Sequence, residues 1–184
     1  MKIAGGTARG RILQTPTGRL TRPTSAVVRE AVFGILAART RDAWVLDLFG
    51  GSGAIACEAI SRGAAHAVVI DADAQAVRIA RQNVSALGME RQIEVYRNDA
   101  FRAMTVLQKK GVCFDWVYID PPYASGLYEK VIQAAYPAVC KPDGVLICEH
   151  AASEPLPEHV GRCARVDTRR YGIRALSLYK GANE

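Results

Sequence analysis

The chain has 184 residues, 49% of them hydrophobic and 23% charged, with a net charge of +6. That balance suits one soluble domain with a sizeable core, and it includes neither an apolar run long enough to cross a bilayer nor a secretory leader at Met1, so a cytoplasmic protein is expected. Five cysteines, odd in number and without a C-x-x-C pair, argue against both a disulfide framework and a zinc site.

The positive charge is segregated. Within residues 1–41, Lys2, Arg9, Arg11, Arg19, Arg22, Arg29, Arg39 and Arg41 face the single acid Glu30, while the rest of the chain is close to neutral. Such segregation points to a polyanion partner, and arginine forks suit phosphate better than general solubility does. Two short strands, Lys2-Ile3-Ala4 and Arg11 to Gln14, flank the Gly5-Gly6 and Gly10 turn signals and read as a basic hairpin. Pro16, Gly18 and Pro23 punctuate a loop. Thr24 or Ser25 can cap a helix running to about Arg39, with Val28, Val32, Ile35 and Leu36 at helical spacing.

From Trp44 the pattern alternates. Strands are expected at 44–48, 66–71, 92–96, 114–120 and 144–149, and helices at about 53–62, 73–87, 101–110 and 126–139. This alternation predicts an α/β, Rossmann-like fold: a parallel sheet with helices on both faces. After Pro157, 161–168 and 173–179 are two further strands joined near Tyr171-Gly172. They bring the sheet to seven strands, mostly parallel, with an antiparallel strand at the C-terminal end.

Asp47-Leu48-Phe49-Gly50-Gly51-Ser52-Gly53 leaves the first of these strands and opens a helix. Its glycines let the backbone approach a ligand at the helix N-terminus. Asp71 closes the next strand, where a carboxylate can accept two ribose hydroxyls. Gly51, Gly53 and Ala56 with Asp71 also fit the nicotinamide-dinucleotide fingerprint. Two acids favour a different ligand. Asp47 suits an ammonium and is badly placed against pyrophosphate, and Asp99 can accept from an adenine amino group. The bland alternative makes Asp47 and Asp99 a cap and a turn residue.

The apolar run from Asp115 ends at Asp120-Pro121-Pro122-Tyr123. Two prolines cannot continue a central strand, so the chain must leave the sheet at its carboxyl end, where open α/β sheets bind ligands. The Asp120 carboxylate and the Pro121 carbonyl can accept the two hydrogens of an exocyclic amine while the Tyr123 ring stacks on its base.

These motifs together resemble those of class I S-adenosylmethionine-dependent amino-methyltransferases. Arg9-Gly10-Arg11, Arg22-Pro23-Thr24 and Val28 to Phe33 make nearly the whole chain similar to the bacterial 16S ribosomal RNA guanine-N2 methyltransferases of the RsmD type. Ala26 and Gly34 replace an acid and an asparagine usual in that family. The resemblance implies that Asp47, Phe49, Gly51 and Gly53 hold the methionine end of S-adenosylmethionine, Asp71 the ribose, and Asp99 with Ala100 the adenine. Asp120, Pro121, Pro122 and Tyr123 would hold the target base, with Arg9, Arg11, Arg22 and Arg29 on the RNA.

The same resemblance implies a metal-free monomer acting on 16S rRNA within a small-subunit particle. Residues 1–41 would form its RNA-binding extension and 42–184 its cofactor fold, in a single domain. The competing readings are methylation of adenine N6 or of a protein side-chain amide, a non-catalytic RNA-binding module, and an NAD-dependent oxidoreductase.

Overall fold

The computed structural model describes residues 1–16, 25–122 and 126–182. Apolar strands that alternate with amphipathic helices build one twisted sheet. Its parallel half comprises β1 (Trp44–Asp47), β2 (His66–Asp71), β3 (Ile93–Arg97), β4 (Phe114–Ile119) and β5 (Cys140–Ala151). The chain then adds β6 (His159–Val160), β7 (Cys163–Tyr171) and β8 (Arg174–Gly181), for a sheet order of β3-β2-β1-β4-β5-β8-β7-β6. Among the described residues the expected seven strands are therefore eight. The extra one, β6, is two residues long and too short to leave a periodic signal. β8 runs antiparallel between β5 and β7, and Gly172 turns the β7–β8 hairpin at φ +62°.

Strand order places the crevice. β1 pairs with β2 on one side and β4 on the other, so the direction of winding reverses between β1 and β4. At such a reversal the connections leave to opposite faces, and a cleft opens at the carboxyl ends of the two strands. Asp47 ends β1 and Asp120 follows β4.

Helices cover both faces. α1 (Ala26–Ile35), α3 (Ala54–Ser61) and α4 (Ala74–Ala86) pack on one side through Val32, Phe33, Ile55, Ala56 and Val84. α5 (Ala100–Lys109) and α6 (Leu127–Ala135) pack on the other through Met104, Val131 and Ile132. Ser25 caps α1 by accepting from the Val28 N–H at 3.2 Å. The expected helix to Arg39 is broken at Leu36, whose ψ of 9° ends α1 just after Gly34, and a four-residue α2 (Ala37–Thr40) follows. Glycine in the last turn weakens the continuous helix.

The N-terminal hairpin survives as a single antiparallel bridge, Lys2 to Ile12. Its apolar residues fold inward: Ile3 and Leu13 are buried in the same core as α3. Glu58 in the middle of α3 fastens this segment. Its carboxylate accepts from the Ala4 N–H at 2.9 Å and the Gly5 N–H at 2.8 Å, and pairs with Arg29 at 3.2 Å and Arg62 at 2.9 Å. Arg29 is thus 1% exposed, with its Nη2 donating to the Lys2 carbonyl at 2.6 Å. The expectation that Arg29 touches RNA is corrected: a guanidinium buried in an ion pair reaches no phosphate, and its task is to hold the N-terminal segment to the body.

Candidate active site

Five acids converge at the carboxyl edge of the sheet because each stands at or near a strand end. Asp47 and Asp71 end β1 and β2, Asp99 and Asp120 follow β3 and β4, and Glu149 lies near the end of β5. They do not share one environment.

Asp47 is 2% exposed, and its Oδ1 has no hydrogen-bond partner among the described residues. Burial, with the nearby carboxylates of Asp71 and Asp120, raises its pKa well above the usual carboxylate range. A buried acceptor left unmatched is costly, so it marks a place prepared for a cationic or donor group. The following loop brings backbone to that place. A side chain at Gly50 would put its Cβ 2.2 Å from Val69 Cγ1, and Gly53 opens α3 at φ +76°, a conformation glycine adopts without strain.

Asp71 braces this loop. Its Oδ2 accepts from the Gly51 N–H at 2.8 Å and its Oδ1 from the Asp73 N–H at 2.8 Å. Each carboxylate oxygen has a further lone pair for a hydroxyl. Asp99 is the N-cap of α5: Oδ1 accepts from the Phe101 and Arg102 N–H groups at 3.0 and 3.1 Å. The cap uses one oxygen only. Ala100 begins α5 and is buried, while Phe49 is half-buried against the core beneath α5 and α6.

Asp120 sits beside a network that sequence reasoning missed. Arg174, the first residue of β8, donates through Nη2 to Asp120 Oδ1 at 3.0 Å and through Nε to Glu149 Oε1 at 2.8 Å. The Tyr118 hydroxyl donates to Glu149 Oε2, and the Tyr128 hydroxyl donates to the Glu149 backbone carbonyl at 2.7 Å. Burial and the Glu149 charge push the Asp120 carboxyl up to about 7, against the opposing pull of Arg174. Pro121 is buried and Pro122 exposed. Tyr123 and Arg22 lie outside the described residues. Arg9 and Arg11 are exposed on the N-terminal segment, and Arg11 Nη2 donates to the Ala86 carbonyl at 2.6 Å.

Glu149 and Arg174 were signalled in sequence only as charges inside strands that are otherwise buried. An acid within the apolar run from Val145 to Cys148 and onward demands a partner, and that was the usable cue.

This site has relatives. The family model described as "Conserved hypothetical protein 95" matches residues 1–180. The chain is 32% identical over 185 residues to the "Putative rRNA methyltransferase YlbH" of Bacillus subtilis, covering 98% of each. It is 39% identical over 132 residues to the "Ribosomal RNA small subunit methyltransferase D" of Escherichia coli K12, covering 72% of this chain and 65% of that protein. Among solved structures, the "Putative methyltransferase yhhF" of Escherichia coli superposes with a TM-score of 0.85 at 30% identity, covering 100% of this chain and 99% of that one.

Proposed function

The chain belongs to the family described as conserved hypothetical protein 95, and on that premise we propose that it transfers a methyl group from S-adenosylmethionine to the N2 amine of one guanine in 16S ribosomal RNA. Its fold is that of the class I S-adenosylmethionine-dependent methyltransferases. The names of its relatives support ribosomal RNA of the small subunit as the substrate.

The observation that carries the reading is that Asp47 and Asp120 stand at the carboxyl ends of the neighbouring strands β1 and β4, close enough for the Asp120 charge to act on Asp47. Asp47, buried and with an unmatched oxygen, fits the ammonium of a methionine moiety. Asp71 fits the ribose and the cap residue Asp99 the adenine, each through lone pairs not used among the described residues. S-adenosylmethionine, when bound, supplies an electrophilic methyl on a sulfonium whose charge is lost as the methyl leaves.

The chain's own residues prepare the amine. The guanine N2 lone pair is delocalised into the ring, so both N–H groups must be held for it to localise and point at its target. Asp120 Oδ2 and the Pro121 carbonyl are the acceptors for this task, since Oδ1 is engaged by Arg174. Tyr123 stacks on the base in this reading. With a carboxyl at about 7, Asp120 accepts the amine proton once the new N–C bond has formed.

Nucleoside analysis of 16S rRNA from cells with and without the gene for this chain tests the reading. Loss of one N2-methylguanosine is expected; loss of an N6-methyladenosine instead, or no change, would overturn it.

A further inference from the structure

The burial of Arg29 removes one of the arginines expected on the RNA and raises the question of which cations face outward together. α4 answers it. Residues 74, 77, 78, 81, 82 and 85 lie on one stripe of this helix and, with Arg97 of β3, line an open groove of about 470 Å³. From Ala74 to Ser85 the stripe runs about 17 Å along the helix axis.

The charge in this groove is fixed in place but not neutralised. Arg81 Nη2 donates to the Val95 carbonyl at 3.0 Å, and Arg97 Nε to the Ala72 carbonyl at 3.3 Å. Arg11 donates to the Ala86 carbonyl at the far end of the same helix. A carbonyl orients a guanidinium without cancelling its charge, and the fork keeps further N–H donors for an anion. Neither these three nor Arg78 forms an ion pair among the described residues. Among the described residues no carboxylate lines the groove. Glu90 reaches it only at its far end, through Ser85, and Asp73 is occupied in capping α4.

Strand alternation keeps other acids away. Ile93, Val95 and Arg97 point to the face that α4 covers, whereas Glu94 and Tyr96 point to the opposite one. The near end of the groove adjoins the cofactor side of the crevice: Ala74 follows Asp71 and Asp73, and Arg97 precedes Asn98 and Asp99. The N-terminal segment is seated along the same helix, with the Gln14 N–H donating to Asn83 Oδ1 at 2.7 Å and Asn83 Nδ2 to the Gln14 carbonyl at 2.9 Å.

We propose that the α4–β3 groove, through Arg78, Arg81 and Arg97 and continuing to Arg11, binds the phosphodiester backbone of the substrate RNA and leads it toward the crevice. This rests on the RNA reading above. It moves much of the phosphate contact out of the N-terminal segment and onto the cofactor fold itself.

The test is binding of a small-subunit rRNA fragment by the full chain between about 50 and 200 mM salt. The R78Q/R81Q and R97Q variants are compared with wild type and with R39Q, a control whose arginine is exposed and tied to the Asp143 carbonyl at the other end of the sheet. Removing one arginine from a phosphate lowers the log-log salt slope by roughly 0.7–0.9. The double variant is therefore expected to fall by about 1.5 in slope and the single variant by about 0.8, with unchanged S-adenosylmethionine affinity and thermal unfolding. Slopes equal to those of wild type and R39Q would make the groove an ordinary solvated face while leaving the RNA reading intact. A wild type with no salt-dependent RNA binding would overturn both.

Discussion

Arg174 Nη2 lies 3.0 Å from Asp120 Oδ1, joining the start of the last antiparallel strand to the residue that follows the fourth parallel one. The contact leaves Asp120 one oxygen for a substrate and opposes the rise in its pKa. Glu149 from β5, Asp47 from β1 and Tyr128 from α6 also face this group, and Cys148 is close by. Only Arg174 among them favours the ionised form.

The pH dependence follows with a definite sign. A carboxylate that must accept N–H groups is competent above its pKa, so activity should rise with pH through about 7. Arg174→Gln removes the stabilising cation and should move this acid limb to higher pH. Glu149→Gln removes a repelling charge and should move it lower. Profiles of kcat/KM for the three proteins would check this, and coincident limbs would show that Asp120 is not the titrating group.

Asp47 should trade stability for binding. Its carboxylate is buried with one oxygen unmatched, and its raised pKa means that ionisation costs stability as pH rises. At pH 8 Asp47→Asn should stabilise the ligand-free protein by about 1–2 kcal/mol, roughly 2–8 °C in Tm. It should also weaken S-adenosylmethionine binding by at least tenfold. Thermal melts and a titration measure both, and a less stable variant that binds normally would remove Asp47 from the site.

Asp71 has two tasks, so its variants should separate. Asp71→Ala removes the brace on the Gly51 N–H together with any ribose hydrogen bond, at a cost of about 2–4 kcal/mol in cofactor affinity. Asp71→Asn retains an acceptor and should lose less. Calorimetric titration would distinguish them. Equal affinity in all three proteins would leave Asp71 a purely structural residue.

Arg29 should behave as a structural residue. Arg29→Met breaks a buried pair but leaves Glu58 with Arg62 and two backbone N–H groups, so the cost should be roughly 3 kcal/mol, about 6–12 °C in Tm. The salt slope of RNA binding should not change. A lowered slope at full stability would return Arg29 to the RNA.

Asp47, Asp71 and Asp120 were legible because each interrupts an apolar run where a parallel strand must stop, and Asp99 because Asn98-Asp99 follows the third strand just before a helix. The cues for Gly50 to Gly53 and for Pro121-Pro122 are equally local. Arg174 and Glu149 were not legible in that way. They are 25 residues apart on strands whose pairing places Ala151 opposite Arg174, and no local pattern reports that register. Arg29 misled because counting charge in a segment is blind to burial, and the cue against it was Glu58, an acid inside the apolar helix Ala54–Ser61. The hairpin's basic residues likewise drew attention from Ile3 and Leu13, which decide how it packs.

The most direct test combines the purified chain, methyl-labelled S-adenosylmethionine and unmodified small ribosomal subunits, followed by nucleoside analysis of the RNA. Wild type should place one label per subunit on a guanine N2. Asp120→Ala should bind the cofactor with unchanged affinity yet transfer the label at least about 10²-fold more slowly. Label on another atom, or an Asp120→Ala protein as fast as wild type, would contradict the account.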